Sequence, residues 1–196
     1  MTDYHSVYLA SSGSMPQTRY AIGDSVAFVH DVMAGPLPIE YADCDVIYAD
    51  LPWRAGFAHY NDRAGVADDR TYRDFLAAVR DVIETRTVPA VIVTGRHALD
   101  SLPKPSQVLP VIMPVANGQP GVALVYGMAL ISEWPKRGTP DGLLALLAAT
   151  NRCVGDFCCG YGASAYAFLR AGRRFVASDY NPECIGYIAK NVGRWM

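Results

Sequence analysis

Short β-branched runs recur along the chain and alternate with stretches of helical period. Arg19 to Ile22, Val46 to Ala49, Ala90 to Val93, Cys153 to Asp156 and Arg174 to Ser178 read as strands, and each ends near a Gly or an Asp. Thr71 to Glu84 sets Tyr72, Phe75, Leu76, Val79, Val82 and Ile83 at spacings of one, three and four, the stripe of a helix with one face on a core. Gly142 to Ala149 and Ala163 to Ala171 also read as helices. Leu109 to Ile131 differs, because two extended apolar runs flank Asn117-Gly118-Gln119-Pro120-Gly121, the chemistry of an antiparallel hairpin turn. The alternation predicts an α/β fold, with a mostly parallel sheet covered by helices on both faces and one antiparallel hairpin. In such sheets ligands collect at the carboxyl ends of the strands, where loops leave backbone amides and side chains free.

Composition narrows the class. A chain of 196 residues, 51% apolar and 18% charged, has the size and core of one globular domain over residues 1–196 and excludes a disordered or coiled-coil protein. Its longest stretch without Asp, Glu, Lys or Arg, Pro105 to Ser132, is broken by Pro110, Pro114 and Pro120, so no membrane span is expected. The N-terminus lacks the basic-then-apolar layout of a secretory signal, which makes cytoplasmic residence the expectation. Five cysteines without a C-x-x-C pair, and histidines scattered singly, predict neither a disulfide framework nor a metal site. Residues 1–135 carry nine Lys/Arg against fifteen Asp/Glu, a balance of −6, whereas residues 136–196 carry eight against four, a balance of +4. Any contact with a polyanion is therefore local rather than spread over the surface.

Two loops hold the distinctive residues. Asp156-Phe157-Cys158-Cys159-Gly160-Tyr161-Gly162 follows a strand and opens a helix, and glycines at 160 and 162 let the backbone pass close to a bound nucleoside. Asp179 stands 23 residues beyond Asp156 at the end of the next strand, before Tyr180, where a carboxylate accepts both hydroxyls of a ribose. The other loop ends the strand Val46 to Ala49 with Asp50-Leu51-Pro52-Trp53. Taken singly it is ordinary turn chemistry. Beside the glycine loop it has what holds a flipped nucleobase: an acid for the exocyclic amine and a ring for the base's face.

At these residues the chain resembles the amino-methyltransferases that use S-adenosylmethionine, which pair an Asp-Pro-Pro-aromatic tetrad with an Asp-x-Phe-x-Gly-x-Gly loop. The order, tetrad first and glycine loop last, resembles the circularly permuted β-class DNA N6-adenine/N4-cytosine methyltransferases. Tyr20-Ala21-Ile22-Gly23-Asp24-Ser25 is similar to that family's Gly-Asp turn, and Arg137-Gly138-Thr139-Pro140 to its Thr-x-Lys-Pro segment. The resemblance implies a Rossmann-like methyltransferase sheet in permuted motif order. It implies S-adenosylmethionine as cofactor, held by Asp24, Thr139, Asp156, Phe157, Cys158, Gly160, Gly162, Asp179 and Tyr180. It implies catalysis by Asp50, Leu51, Pro52 and Trp53 on the exocyclic amine of a nucleobase, with N6 of adenine in DNA first. RNA or N4 of cytosine is the nearby alternative. Leu51 replaces the tetrad's first proline, Cys158 stands where the loop usually carries Phe, and a threonine stands in place of the lysine before Pro140, so a noncatalytic partner subunit on the same fold is the competing class.

The remaining length limits what else the chain holds. Only 82 residues separate Trp53 from Lys136, too few for a separate target-recognition domain once a helix, a strand and the hairpin are placed. Specificity is then short or supplied by a partner. Arg54 to Arg73 reads either as a mobile loop over the target pocket, with Phe57 or Tyr60 stacking on substrate and Arg54 or Arg63 meeting phosphate, or as a solvated charged loop. The uncharged hairpin is either a homodimer interface or a sheet edge.

Overall fold

The computed structural model describes residues 18–64, 70–113, 119–128, 134 and 138–195. Its strands are β1 (Arg19–Ile22), β2 (Ser25–Val29), β3 (Val46–Asp50), β4 (Ala90–Gly95), β5 (Gln107–Met113), β6 (Gln119–Tyr126), β7 (Cys153–Asp156) and β8 (Arg174–Asp179). They form one eight-stranded sheet in the order β1-β2-β8-β7-β3-β4-β6-β5. The run from β2 to β4 is parallel throughout. β1 joins antiparallel at one edge, and the β5–β6 hairpin joins β4 antiparallel at the other. The predicted hairpin is thus a sheet edge, while Asn117 and Gly118 of its turn lie outside the described residues. Pairing of β3 with β7 sets Tyr48 opposite Asp156 and brings together loops a hundred residues apart in the sequence.

Among the described residues five α-helices cover the sheet: α1 (Arg54–Arg63), α2 (Tyr72–Thr85), α3 (Pro140–Thr150), α4 (Ala163–Arg170) and α5 (Pro182–Trp195). α2 begins where the chain offers a capping box. Thr71 Oγ1 accepts from the Asp74 amide, and the Asp74 carboxylate accepts from the Thr71 amide. Phe75, Leu76, Val79, Val82 and Ile83 then pack on one face of the sheet, with Ile47, Ile92 and Leu124. Leu143, Leu144 and Leu147 of α3, Phe168 of α4 and Ile185 and Ile188 of α5 fill the other face. Two-sided burial explains the continuous apolar runs of β3 and β4.

Three elements depart from expectation. β2 is not among the strands predicted, because Ser25 to Phe28 are all buried and show no alternation. Neither is α5 among the helices predicted. Arg54–Arg63 is a helix rather than a loop, since Phe57 anchors it against Phe75 and Tyr72 at ring separations of 5.2 and 5.8 Å, a tertiary contact that outweighs the weak helical period around Gly56. Residues 65–69 of that stretch lie outside the described set. Among the described residues no helix is long and apolar enough to cross a membrane.

Candidate functional site

A cavity of about 220 Å³ opens at the carboxyl ends of β2, β3, β7 and β8. One wall is the tetrad. Asp50 ends β3, and the Leu51 amide still donates to the Val93 carbonyl at 2.9 Å, so the chain turns only after the ladder is complete. The Leu51 side chain is buried with the α2-side core, which braces the turn where a second proline is absent. Trp53 stands at the N-cap of α1 and meets His97 edge-on at 6.5 Å and 74°. That approach depends on Gly95, where a Cβ would stand 2.5 Å from His97 Cε1. Burial pushes the Asp50 carboxyl up to about 7, reinforced by Asp141 in the first turn of α3.

The opposite wall is the glycine loop with the end of β8. Gly160 lines the cavity at φ +49°, and a Cβ built there meets nothing within 4 Å, so it is the backbone itself that faces the open space. Its amide donates to Asp179 Oδ2 at 2.9 Å, and the Asn181 amide donates to Oδ1 at 2.9 Å. Burial raises Asp179 to about 6 despite these two amides, which favour the ionised form. His30 Nε2 and the Tyr180 hydroxyl are buried at this wall without a hydrogen-bond partner among the described residues. Asp31 accepts the Met33 amide at 2.9 Å and forms an ion pair with Arg70 at the same wall. α1 supplies a third side through Phe57 and the half-buried Tyr60, whose hydroxyl is raised chiefly by burial and then by Asp179.

Of the residues singled out from sequence, Asp50, Leu51, Pro52, Trp53, Phe157, Cys158, Gly160, Asp179 and Tyr180 line this one cavity. Asp156 lies behind it: Oδ1 accepts the Cys158 amide at 3.0 Å and Oδ2 accepts the Ser164 hydroxyl at 2.6 Å, so its carboxylate braces the loop against α4. Burial raises it to about 7. Gly162 caps α4 at φ +87°, and a Cβ there would stand 2.7 Å from Ile188 Cγ1; it serves the packing of α4 on α5. Thr139 caps α3 by accepting the Gly142 amide at 3.2 Å and does not line the cavity. Asp24 sits in the exposed β1–β2 turn at the far edge of the sheet. The register Val29 opposite Asp179 places the end of β2, not its beginning, at the cavity. Asp31, two residues past β2, occupies the cavity wall instead.

His30, Asp31, Met33, Arg70 and Met113 also line the cavity, and sequence reasoning does not single them out. A signal for the first two exists, because Ser25 to Val29 followed by His30 and Asp31 ends in an acid as the other central strands do. The Cys158 and Cys159 thiols are pushed well above their ordinary range by burial and then by Asp179 and Asp156, which suits packing and not nucleophilic attack.

No protein-family model matches the chain, and no curated protein does. Solved structures do. The M1.HpyAVI–SAM complex superposes over 85% of this chain and 98% of its own at 12% identity and a TM-score of 0.53. TTHA0409 of Thermus thermophilus, described as a putative DNA modification methylase and solved with S-adenosyl-L-methionine, superposes over 85% of this chain and 92% of its own at 14% identity and a TM-score of 0.52. At such identities the likeness is one of architecture. The mostly parallel eight-stranded sheet with its antiparallel edge hairpin, β3 preceding β7 in the sequence, is the α/β fold of these methyltransferase structures.

Proposed function

We propose that the chain, as a single domain over residues 1–196, transfers a methyl group from S-adenosylmethionine to the exocyclic amine of a nucleobase, N6 of adenine in DNA first. The observation that carries this reading is convergence: Asp50, Leu51, Pro52 and Trp53 line one cavity with Phe157, Cys158 and Gly160, remote in sequence. The donor wall suits the cofactor on three counts. Gly160 presents bare backbone to open space, Asp179 presents a carboxylate fixed by two amides, and His30 Nε2 and the Tyr180 hydroxyl are buried polar atoms that a nucleoside would satisfy. Asp50 and Asp179 on facing walls, beside an Asp31 already paired with Arg70, also favour a cationic ligand. When bound, S-adenosylmethionine supplies an electrophilic methyl on a positively charged sulfur.

The chain's own residues would do the rest. An exocyclic amine is a weak nucleophile because its lone pair is delocalised into the ring. Hydrogen bonds from that amine to the Asp50 carboxylate and the Leu51 carbonyl favour a tetrahedral nitrogen and the positive charge it develops. Trp53 would stack on the base and stabilise that charge through its π-face. Holding the base against the donor wall converts an encounter of two molecules into a step within one complex. Asp50 balances the positive charge on the nitrogen only when ionised, and its carboxyl titrates at about 7 in the ligand-free site. The expected kcat/KM for the acceptor therefore rises with pH through 7 and levels off above it.

The competing reading, a noncatalytic subunit, rests on Leu51 and Cys158 departing from the family pattern. Burial of Leu51 and the hydrogen bond its amide donates to the Val93 carbonyl hold the turn without a second proline, which favours the enzyme. The test is transfer of labelled methyl from S-adenosylmethionine to unmodified DNA and RNA, followed by nucleoside analysis, with Asp50→Ala alongside. N6-methyladenine that disappears in Asp50→Ala supports the proposal. Label on another base or on RNA revises the acceptor, and the absence of label from every nucleic acid rejects it.

A further inference from the structure

Away from the cavity, four aromatic rings form a continuous track over the α4–α5 surface. Tyr161 meets Tyr187 edge-on at 5.2 Å, Tyr187 lies 6.5 Å from Trp195, and Trp195 meets Tyr166 edge-on at 5.8 Å. Burial would suit such rings, yet Tyr161, Tyr166 and Tyr187 are 47%, 47% and 45% exposed. They are three of the five large exposed hydrophobics among the described residues. The track begins at the glycine loop. Tyr161 stands between Gly160, which lines the cavity, and Gly162, where an added Cβ would lie 3.2 Å from the Trp195 ring.

Cations interleave with the rings. Arg170 lies one turn beyond Tyr166 on α4, and Lys190 and Arg194 follow Tyr187 at spacings of three and seven on α5, on its exposed side. None of the three has an ion-pair partner among the described residues, and the acid on the same side of α5 is Glu183, one turn before Tyr187. This excess sits in the segment of balance +4 within a chain of net charge −2. Tyr, Trp and Arg also populate protein–protein interfaces, but three cations against one acid leave a positive surplus that matches phosphates needing neutralising, while the exposed rings match bases that stack.

We propose that the Tyr161–Tyr187–Trp195–Tyr166 track, with Arg170, Lys190 and Arg194, binds single-stranded nucleic acid, the stretch flanking the nucleotide in the cavity. The assignment rests on the nucleobase reading of the cavity for its purpose, though not for its binding chemistry. It gives the chain a second hold on its substrate beside the cavity.

The test is fluorescence anisotropy of a labelled mixed-sequence single-stranded DNA oligonucleotide with the full chain, with Tyr166→Ala/Tyr187→Ala and Arg170→Ala/Lys190→Ala/Arg194→Ala as variants. Circular dichroism and the thermal midpoint check the fold, and the charge variant alters no packing if the ring variant melts early. The expectation is salt-sensitive binding, weakened about tenfold or more by loss of two stacking rings, with the log–log salt slope shallower by about two in the charge variant. If the wild type binds and neither variant differs from it, or if it methylates nucleic acid yet does not bind the single strand, the track is rejected and the cavity reading stands. If the wild type neither binds nor methylates any nucleic acid, both readings fall. A wild-type dimer that Tyr166→Ala/Tyr187→Ala converts to monomer assigns the surface to a second copy and overturns the proposal.

Discussion

Asp50→Asn separates what this carboxyl does for transfer from what it does to the fold. Burial and Asp141 raise its pKa from 3.8 to about 7. At about 1.4 kcal/mol per unit, a shift of that size sets a ceiling of about 4 kcal/mol. Asp50 retains some contact with solvent at the cavity wall, which reduces the working figure to about 2–3 kcal/mol. The folded state holds this proton more tightly than the unfolded state. The cost of Asp50 is thus absent below about pH 4, grows as pH rises through the interval to 7, and is complete above 7. Asparagine has nearly the same shape and does not ionise. Urea denaturation of the cofactor-free chain, followed by tryptophan fluorescence from pH 4 to 8, should show the variant equal to wild type at the acid end and about 2–3 kcal/mol more stable at pH 8. Asp179 carries a raised value in both proteins and cancels in the difference, whereas Asp156 is raised in part by the Asp50 charge, so loss of that charge adds to the variant's stability at pH 8 in the same direction. Methyl transfer should fall at least about a hundredfold, because the amide cannot balance the positive charge on the nitrogen. A difference that stays flat with pH, or a variant less stable at pH 8, would refute the reasoning.

Other positions give independent checks. Tyr180→Phe removes a buried hydroxyl that has no partner among the described residues, so the ligand-free chain should gain about 1 kcal/mol in denaturant titration, while calorimetry should show weaker S-adenosylmethionine binding. Gly162→Ala puts a Cβ at φ +87° and 2.7 Å from Ile188, and should cost about 2–4 kcal/mol; an unchanged thermal midpoint contradicts the packing role assigned to this glycine. Ser164→Ala removes the 2.6 Å donor to buried Asp156, with an expected loss of about 1–3 kcal/mol. That loss should be larger at pH 8 than at pH 6, because the Asp156 carboxyl ionises at about 7 and the bond favours its ionised form; equal losses would contradict this.

What is legible in the sequence follows from how local each signal is. β3, β7 and β8 each combine an apolar run with a terminal acid, so Asp50, Asp156 and Asp179 can be placed at strand ends from their neighbours alone. β2 is not visible by alternation, and without it the Gly23-Asp24 turn reads as the cofactor's acid when the far end of the same strand, at His30 and Asp31, reaches the cavity. The role of Gly162 lies in Ile188, 26 residues later on α5, and Asp156 turns inward because Ser164 and the Cys158 amide claim both oxygens. These are tertiary relations that no short window contains. α5 itself is readable, since Cys184, Ile185, Ile188 and Val192 keep helical spacing.

Whether one cavity at the carboxyl edge of the sheet holds the donor is tested most directly by calorimetric titration of S-adenosylmethionine into wild type, Asp179→Ala and Asp24→Ala. The prediction is one molecule bound per chain, affinity reduced at least about tenfold in Asp179→Ala, and affinity within about twofold of wild type in Asp24→Ala, whose carboxyl lies at the opposite edge. No binding to the wild type, or a loss in Asp24→Ala with Asp179→Ala unaffected, would contradict it.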